Sequence, residues 1–316
     1  MVSLGDVYAA REVIGSKLVR TPLLHNEVLS ARLGRPVYLK LENLQKTGSF
    51  KPRGVLNKIA ALSREEMAHG LITISAGNHA QALAYAALAS GLHCTVVMPA
   101  TAPATKVANT RGYGAEVILH PDSITLLDRM RTEQAEHDYV FVPPFDDPYV
   151  VAGQGTVGLE IMEDLPDAAA IIVPVGGGGL IAGIATAVKG MRPATSVLGV
   201  EPEGAPTMFN SIAAGRAMHL DRIDTIADGL AAPFAGELTY QIVRELVDAV
   251  VLISDAEIAA AVPTLVELVK VVPEPAGATA LAALLAGRVT LPPEGPVVVI
   301  VSGGNLDLAR LAMFIA

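Results

Sequence analysis

From residue 71 onward, short apolar runs rich in valine and isoleucine alternate with helix-forming stretches, and small-residue turns follow several of the runs. Residues 71–74, 93–98, 116–119 and 139–142 read as strands. Between them, "HAQALAYAALAS" (79–90), 103–111 and 123–136 read as helices, the first ended by Gly91 and the second by Gly112 and Gly114. Strand–helix alternation at this spacing implies parallel βαβ units with right-handed crossovers. The proline-dense stretch "PPFDDP" (143–148) breaks the pattern and is the expected boundary between lobes. The alternation then resumes with a helix over about 150–163, strand "AIIVPV" (170–175), helix "LIAGIATAVKG", strand 197–200 and a last strand "VVVIV" (297–301). Residues 37–41 form an earlier strand. The expected fold class is α/β: two open, twisted, mostly parallel sheets with flanking helices. The large lobe takes residues 1–46 plus 148–316, and a small mobile lobe takes 47–147. Open parallel sheets bind ligands at strand carboxyl ends, which places a site in the cleft between the lobes.

A chain of 316 residues, 51% hydrophobic, can build cores of that size. Its net charge of −9, with no basic stripe, argues against nucleic acid as a partner. The first residues hold Asp6 and Glu12 and no apolar run, so no signal peptide is expected. No stretch of about twenty apolar residues occurs, so no membrane span is expected either. The single cysteine, Cys94, suits a reducing cytoplasm.

The strongest chemical element is Gly176-Gly177-Gly178-Gly179 between a buried strand and a helix. Successive glycines there leave backbone N–H groups at a helix N-terminus, a cradle for an anion. A tight turn is the competing reading. No Gly-Lys-Ser/Thr follows, so a triphosphate is not indicated. A second strand-end turn, Ser75-Ala76-Gly77-Asn78-His79, offers N–H, hydroxyl and amide groups to a carboxylate, against an ordinary helix cap. A third is Ser302-Gly303-Gly304-Asn305. With the lysine of "TGSFKPRG" (47–54), these turns suggest a phosphorylated cofactor across the cleft. Gly153-x-Gly155-x-x-Gly158 matches a dinucleotide fingerprint literally, but a proline-rich loop rather than a strand precedes it.

The ordered set "TGSFKPRG", "SAGNHAQAL", "VGGGGLIAG", "EPAGA" and "SGGN" resembles the pyridoxal-phosphate enzymes of the tryptophan-synthase-β type (fold type II) over nearly the whole chain. Within them it is similar to the threonine ammonia-lyase (threonine dehydratase) and serine racemase group. That resemblance implies pyridoxal 5'-phosphate held by Lys51 as a Schiff base, with Phe50 against its ring and Gly176 to Gly179 on its phosphate. It further implies Asn78 at the ring hydroxyl, Ser302 at the pyridine nitrogen and Glu274 near the cofactor, a capping role being the alternative for Glu274. Ser75, Ala76, Gly77, Asn78 and His79 would grip the substrate carboxylate. A lysine among apolar groups loses solvation, so its amine is more easily neutral and can act as nucleophile and then general base.

Within the group, racemisation needs a second acid/base, which in serine racemases is a serine where this chain has Ala76. The implied reaction is therefore elimination of water from L-threonine to 2-oxobutanoate and ammonia, with L-serine going to pyruvate. A 3-hydroxyaspartate ammonia-lyase is the close alternative and would need another cation, for which Arg53 is the nearest candidate; a serine racemase-like enzyme is a further one. The different-class alternative is a nicotinamide-dependent oxidoreductase. Phe50 and His79 point away from the sulfur-transferring relatives. The resemblance also implies a cation at Glu201 and the Ala205 carbonyl, but Thr207 stands where an acid is usual, so a monovalent or weakly held divalent ion is expected. A structural role for Glu201 competes with it. The expected partners are an amino-acid substrate and further copies of the chain, as a homodimer or homotetramer. No regulatory domain is expected beyond Ala316.

Overall fold

A computed structural model describes residues 1–122 and 125–315. Ten strands follow in chain order: β1 Leu23–His25, β2 Val37–Leu41, β3 Leu71–Ile74, β4 Cys94–Pro99, β5 Glu116–His120, β6 Val140–Phe141, β7 Ala170–Pro174, β8 Ser196–Pro202, β9 Ala249–Ile253 and β10 Val297–Val301. They form a six-stranded sheet in the order β1-β2-β10-β7-β8-β9 and a four-stranded sheet in the order β5-β4-β3-β6. Every pairing is parallel except β1 with β2. The α/β architecture with two mostly parallel sheets is thus the one expected.

Alternation along β10 explains why the large sheet is covered on both faces. Val298 and Ile300 join one apolar cluster, with the helices Pro148–Asp164 and Gly179–Met191. Val297, Val299 and Val301 join the other, with the helix Pro275–Leu285. The small sheet is sandwiched the same way, with Val96 and Met98 on one side and Ile72 and Val97 on the other. Burial of this kind drives parallel sheets, whose strands read as continuous apolar runs. Among the described residues no helix is long and apolar enough to cross a membrane.

Two expectations shift in detail. The helix expected from about 150 runs Pro148–Asp164, because Asp147 accepts the N–H groups of Tyr149 and Val150 and Pro148 occupies the first turn. The helix expected over 123–136 runs Leu126–His137; its expected start lies outside the described residues.

Gly153, Gly155 and Gly158 all lie inside the helix Pro148–Asp164. A Cβ on Gly153 would stand 2.4 Å from the Arg53 carbonyl oxygen, and one on Gly155 would stand 2.9 Å from that of Gly183. These glycines let helices cross closely. They open no phosphate loop, which removes the motif behind the dinucleotide reading.

Candidate active site

The cleft between the sheets gathers the turns at their strand ends. After β2 the chain reaches Ser49, which bridges to Gly303, and the Phe50 N–H donates to the Ser302 carbonyl at 3.2 Å. That pairing sets Lys51 at the start of the helix Pro52–Ala60. The Lys51 amine donates to the Pro144 carbonyl at 2.8 Å and lies 5.1 Å from the Phe50 ring centre. Burial, partly offset by the charge of Glu274, pulls Lys51 down to about 8. At neutral pH a useful fraction of such an amine is uncharged.

The turn after β3 meets the same place from the small sheet. Asn78 Nδ2 donates to Glu274 Oε1 at 2.5 Å, and Asn305 Nδ2 donates to Asn78 Oδ1 at 2.8 Å and to the Thr47 carbonyl at 2.7 Å. Four of the five motifs therefore share one hydrogen-bonded cluster. Glu274 is buried, and burial pushes its carboxyl up to about 7 against the bond from Asn78. The backbone N–H groups of Ala76, Asn78 and His79 meet no acceptor among the described residues, as suits an anion site at a helix N-terminus.

His79 does not offer its ring to that anion. Its Nε2 contacts the Val142 carbonyl at 2.9 Å, so Nε2 carries the proton and Nδ1 is a bare lone pair. Burial, with the charge of Lys51, lowers its pKa to about 3. The neutral imidazole braces the turn, whose donors are its backbone N–H groups.

The third wall is the glycine loop. Gly178 has φ +91, a left-handed conformation that a side chain rarely adopts, and a Cβ on Gly177 would stand 2.4 Å from the Phe145 ring. No N–H from Gly176 to Ile181 meets an acceptor among the described residues, at the start of the helix Gly179–Met191. Lys51, Phe50, Asn78, Glu274 and Ser302 therefore come together opposite the unpaired amides of the glycine loop. Pro144 and Phe145 were missed by motif reading. They sit in "PPFDDP", where the Pro144 carbonyl meets Lys51 and the Phe145 ring lies against Gly177.

Two groups lie elsewhere. Arg53 is 2% exposed, and its guanidinium is held by Glu42 (2.8 Å) and Glu160 (2.7 Å). It is no free cation for a second carboxylate, which corrects the role considered for it. Glu201, buried, accepts the N–H groups of Met208 (2.8 Å) and Phe209 (2.7 Å), capping the helix Thr207–Ala214. Burial pushes it up to about 8 despite those bonds. The Ala205 carbonyl accepts the Thr207 N–H at 3.0 Å, and the Thr207 hydroxyl donates to the Ala232 carbonyl at 2.8 Å.

A model of the family "pyridoxal-phosphate dependent enzyme" matches residues 16–303. The chain belongs to that family. It is 46% identical to an L-threonine ammonia-lyase of Thermotoga maritima over 310 residues, 98% of this chain and 77% of that one. Its structure is similar to a T.th. threonine deaminase, at TM-score 0.92 and 44% identity, covering 97% of this chain and 99% of the other. It is also similar to maize serine racemase, at TM-score 0.95 and 39% identity, covering 99% and 97%.

The residues present fit the family's cofactor. Unpaired amides at the glycine loop suit its phosphate, and a partly neutral amine at Lys51 suits its aldehyde. Ser302 Oγ has only a 3.4 Å contact to the Ala276 carbonyl, which leaves the hydroxyl able to serve a ring nitrogen.

Proposed function

We propose that the protein is an L-threonine ammonia-lyase that also acts on L-serine. The observation that carries this reading is the partly buried Lys51 amine, without a carboxylate partner, in a cleft that also holds the free amides of Ala76, Asn78 and His79. Relatives named for threonine ammonia-lyase or dehydratase activity, 44–47% identical over 98–99% of the chain, support the substrate. Ala76 in place of a second acid/base supports elimination over racemisation.

In this proposal Lys51 would hold the cofactor covalently, Phe50 would pack against its ring, and Gly176 to Gly179 would take its phosphate. Asn78, Glu274 and Ser302 would hold the polar groups of its ring. Bound pyridoxal phosphate would act as the electron sink that acidifies the substrate's α-C–H. The amides of Ala76, Asn78 and His79 would hold the substrate carboxylate, fixing that C–H toward Lys51. The free Lys51 amine would take the substrate's α-proton as general base, with the Pro144 carbonyl orienting it. Sheet closure would exclude water until the β-hydroxyl has left.

The division into residues 1–46 plus 148–316 and a mobile 47–147 belongs to the same proposal, as do a homodimer or homotetramer and a cytoplasmic setting. So does a monovalent or weakly held divalent ion at Glu201 and Ala205. The two backbone bonds already on the Glu201 carboxylate argue for weak affinity. The test is 2-oxo acid production by cofactor-loaded protein from L-threonine, L-serine and both 3-hydroxyaspartates. L-Threonine should give the highest kcat/KM; a preference for a 3-hydroxyaspartate would overturn the assignment.

A further inference from the structure

The helix Ala104–Gly112 packs on the small sheet through Val107, yet its first turn reaches across the cleft. Thr105 Oγ1 donates to Asp307 Oδ2 at 3.0 Å, and Lys106 Nζ lies 3.4 Å from Asp228 Oδ2. Asp228 opens the short 3-10 turn Asp228–Leu230 in the segment between β8 and β9, and is held from its own side. Arg310 donates to it at 2.6 and 3.3 Å and also to the Ile226 carbonyl at 2.7 Å. Asp228 is therefore anchored by Arg310, and Lys106 reaches it from the helix packed on the small sheet.

The next residue ties this pair to the chemistry. A Cβ on Gly229 would stand 3.6 Å from Glu274 Oε1 and 3.9 Å from Asn78 Nδ2. The Asp228–Gly229 segment thus lies against the Asn78–Glu274 bond, itself a link between the sheets. We propose that Lys106 and Asp228 form an electrostatic latch that closes the small lobe over the site, with Lys106 a positioning residue that keeps Asn78 on Glu274. This rests on the functional reading above for the choice of substrate and for the mobility of the small lobe. Lys106 keeps 15% of its side chain exposed and Asp228 42%, so added salt reaches and weakens the pair.

The experiment compares the cofactor-loaded parent with Lys106→Met and Lys106→Arg, which leave the Arg310–Asp228 bonds in place. Amide hydrogen exchange over residues 104–112, without substrate, is read at low and at high salt. In the parent, salt should speed exchange about fivefold, the factor for an exposed pair worth about 1 kcal/mol. Lys106→Met should be fast at both salts, and Lys106→Arg should behave as the parent. KM for L-threonine should rise about fivefold in Lys106→Met, with kcat within about twofold and the salt dependence of KM lost. Parent-like exchange in Lys106→Met, or an unchanged salt dependence of KM, would overturn the latch. The exchange readout stands even if L-threonine proves the wrong substrate.

Discussion

Lys40 is wholly buried and Lys51 partly buried, and their amines meet different partners. Lys40, wholly buried on β2, donates to Glu160 Oε2 at 2.6 Å and to the Thr21 carbonyl at 2.7 Å. Arg53, Glu42 and Glu160 complete that cluster, two cations against two carboxylates, joining β2 to the helices Pro52–Ala60 and Pro148–Asp164. Lys51 has a carbonyl at 2.8 Å and feels Glu274 only as a charge at a distance. A buried amine clasped by a carboxylate does structural duty. One without it drifts toward neutrality and becomes available for chemistry.

The comparison is sharpest in the loss of each lysine. Lys51→Ala should lower kcat/KM for L-threonine by more than about 10³-fold, because it removes both the covalent anchor and the base. Without cofactor at neutral pH its melting temperature should not fall below the parent's, because burial of the Lys51 ammonium opposes folding there. Steady-state kinetics with calorimetry checks both, and substantial turnover in the variant would remove Lys51 from the centre of the site.

The network should respond in the opposite way. Arg53→Met leaves Glu42 and Glu160 facing each other in a buried space, and breaking such a cluster costs about 3–5 kcal/mol of stability. The folded fraction of Arg53→Met should keep its order of substrate preference, since the guanidinium faces no substrate. Denaturant unfolding with single-substrate kinetics reads this. A selective loss of turnover on 3-hydroxyaspartate would instead return Arg53 to the site.

The difference between the lysines also marks what could be read without coordinates. Lys51 was legible because its setting, Phe50 and Pro52, belongs to a local motif, and the three small-residue turns each follow an apolar strand. β9 carries the same kind of signal in "AVVLI" yet went unread, and β1, at three residues, is too short to announce itself. The Pro144 carbonyl is 93 residues from Lys51, and Asp228 is 122 from Lys106. Contacts of that range depend on how the sheets pack, and no local spacing encodes them. The Gly153–Gly158 match shows the reverse hazard, because glycine serves close helix crossing as readily as anion binding.

The finest test of the comparison is the pH at which Lys51 becomes reactive. Its amine, ordinarily near 10.5, sits at about 8 because burial outweighs the charge of Glu274. The unfolded chain keeps that proton up to the higher value, so between the two the unfolded state binds more protons. Stability of the cofactor-free protein should therefore gain a contribution from Lys51 as pH rises from about 8. Capture of added pyridoxal phosphate, followed by absorbance, should speed up toward about pH 8 and then level off. Glu274→Gln deletes the charge that favours the ammonium, so its midpoint should move to lower pH. Lys40→Met should leave the midpoint where it is, because that lysine belongs to a separate, self-compensated cluster. A Glu274→Gln profile shifted to higher pH would mean that Glu274 governs the lysine by a route other than its charge.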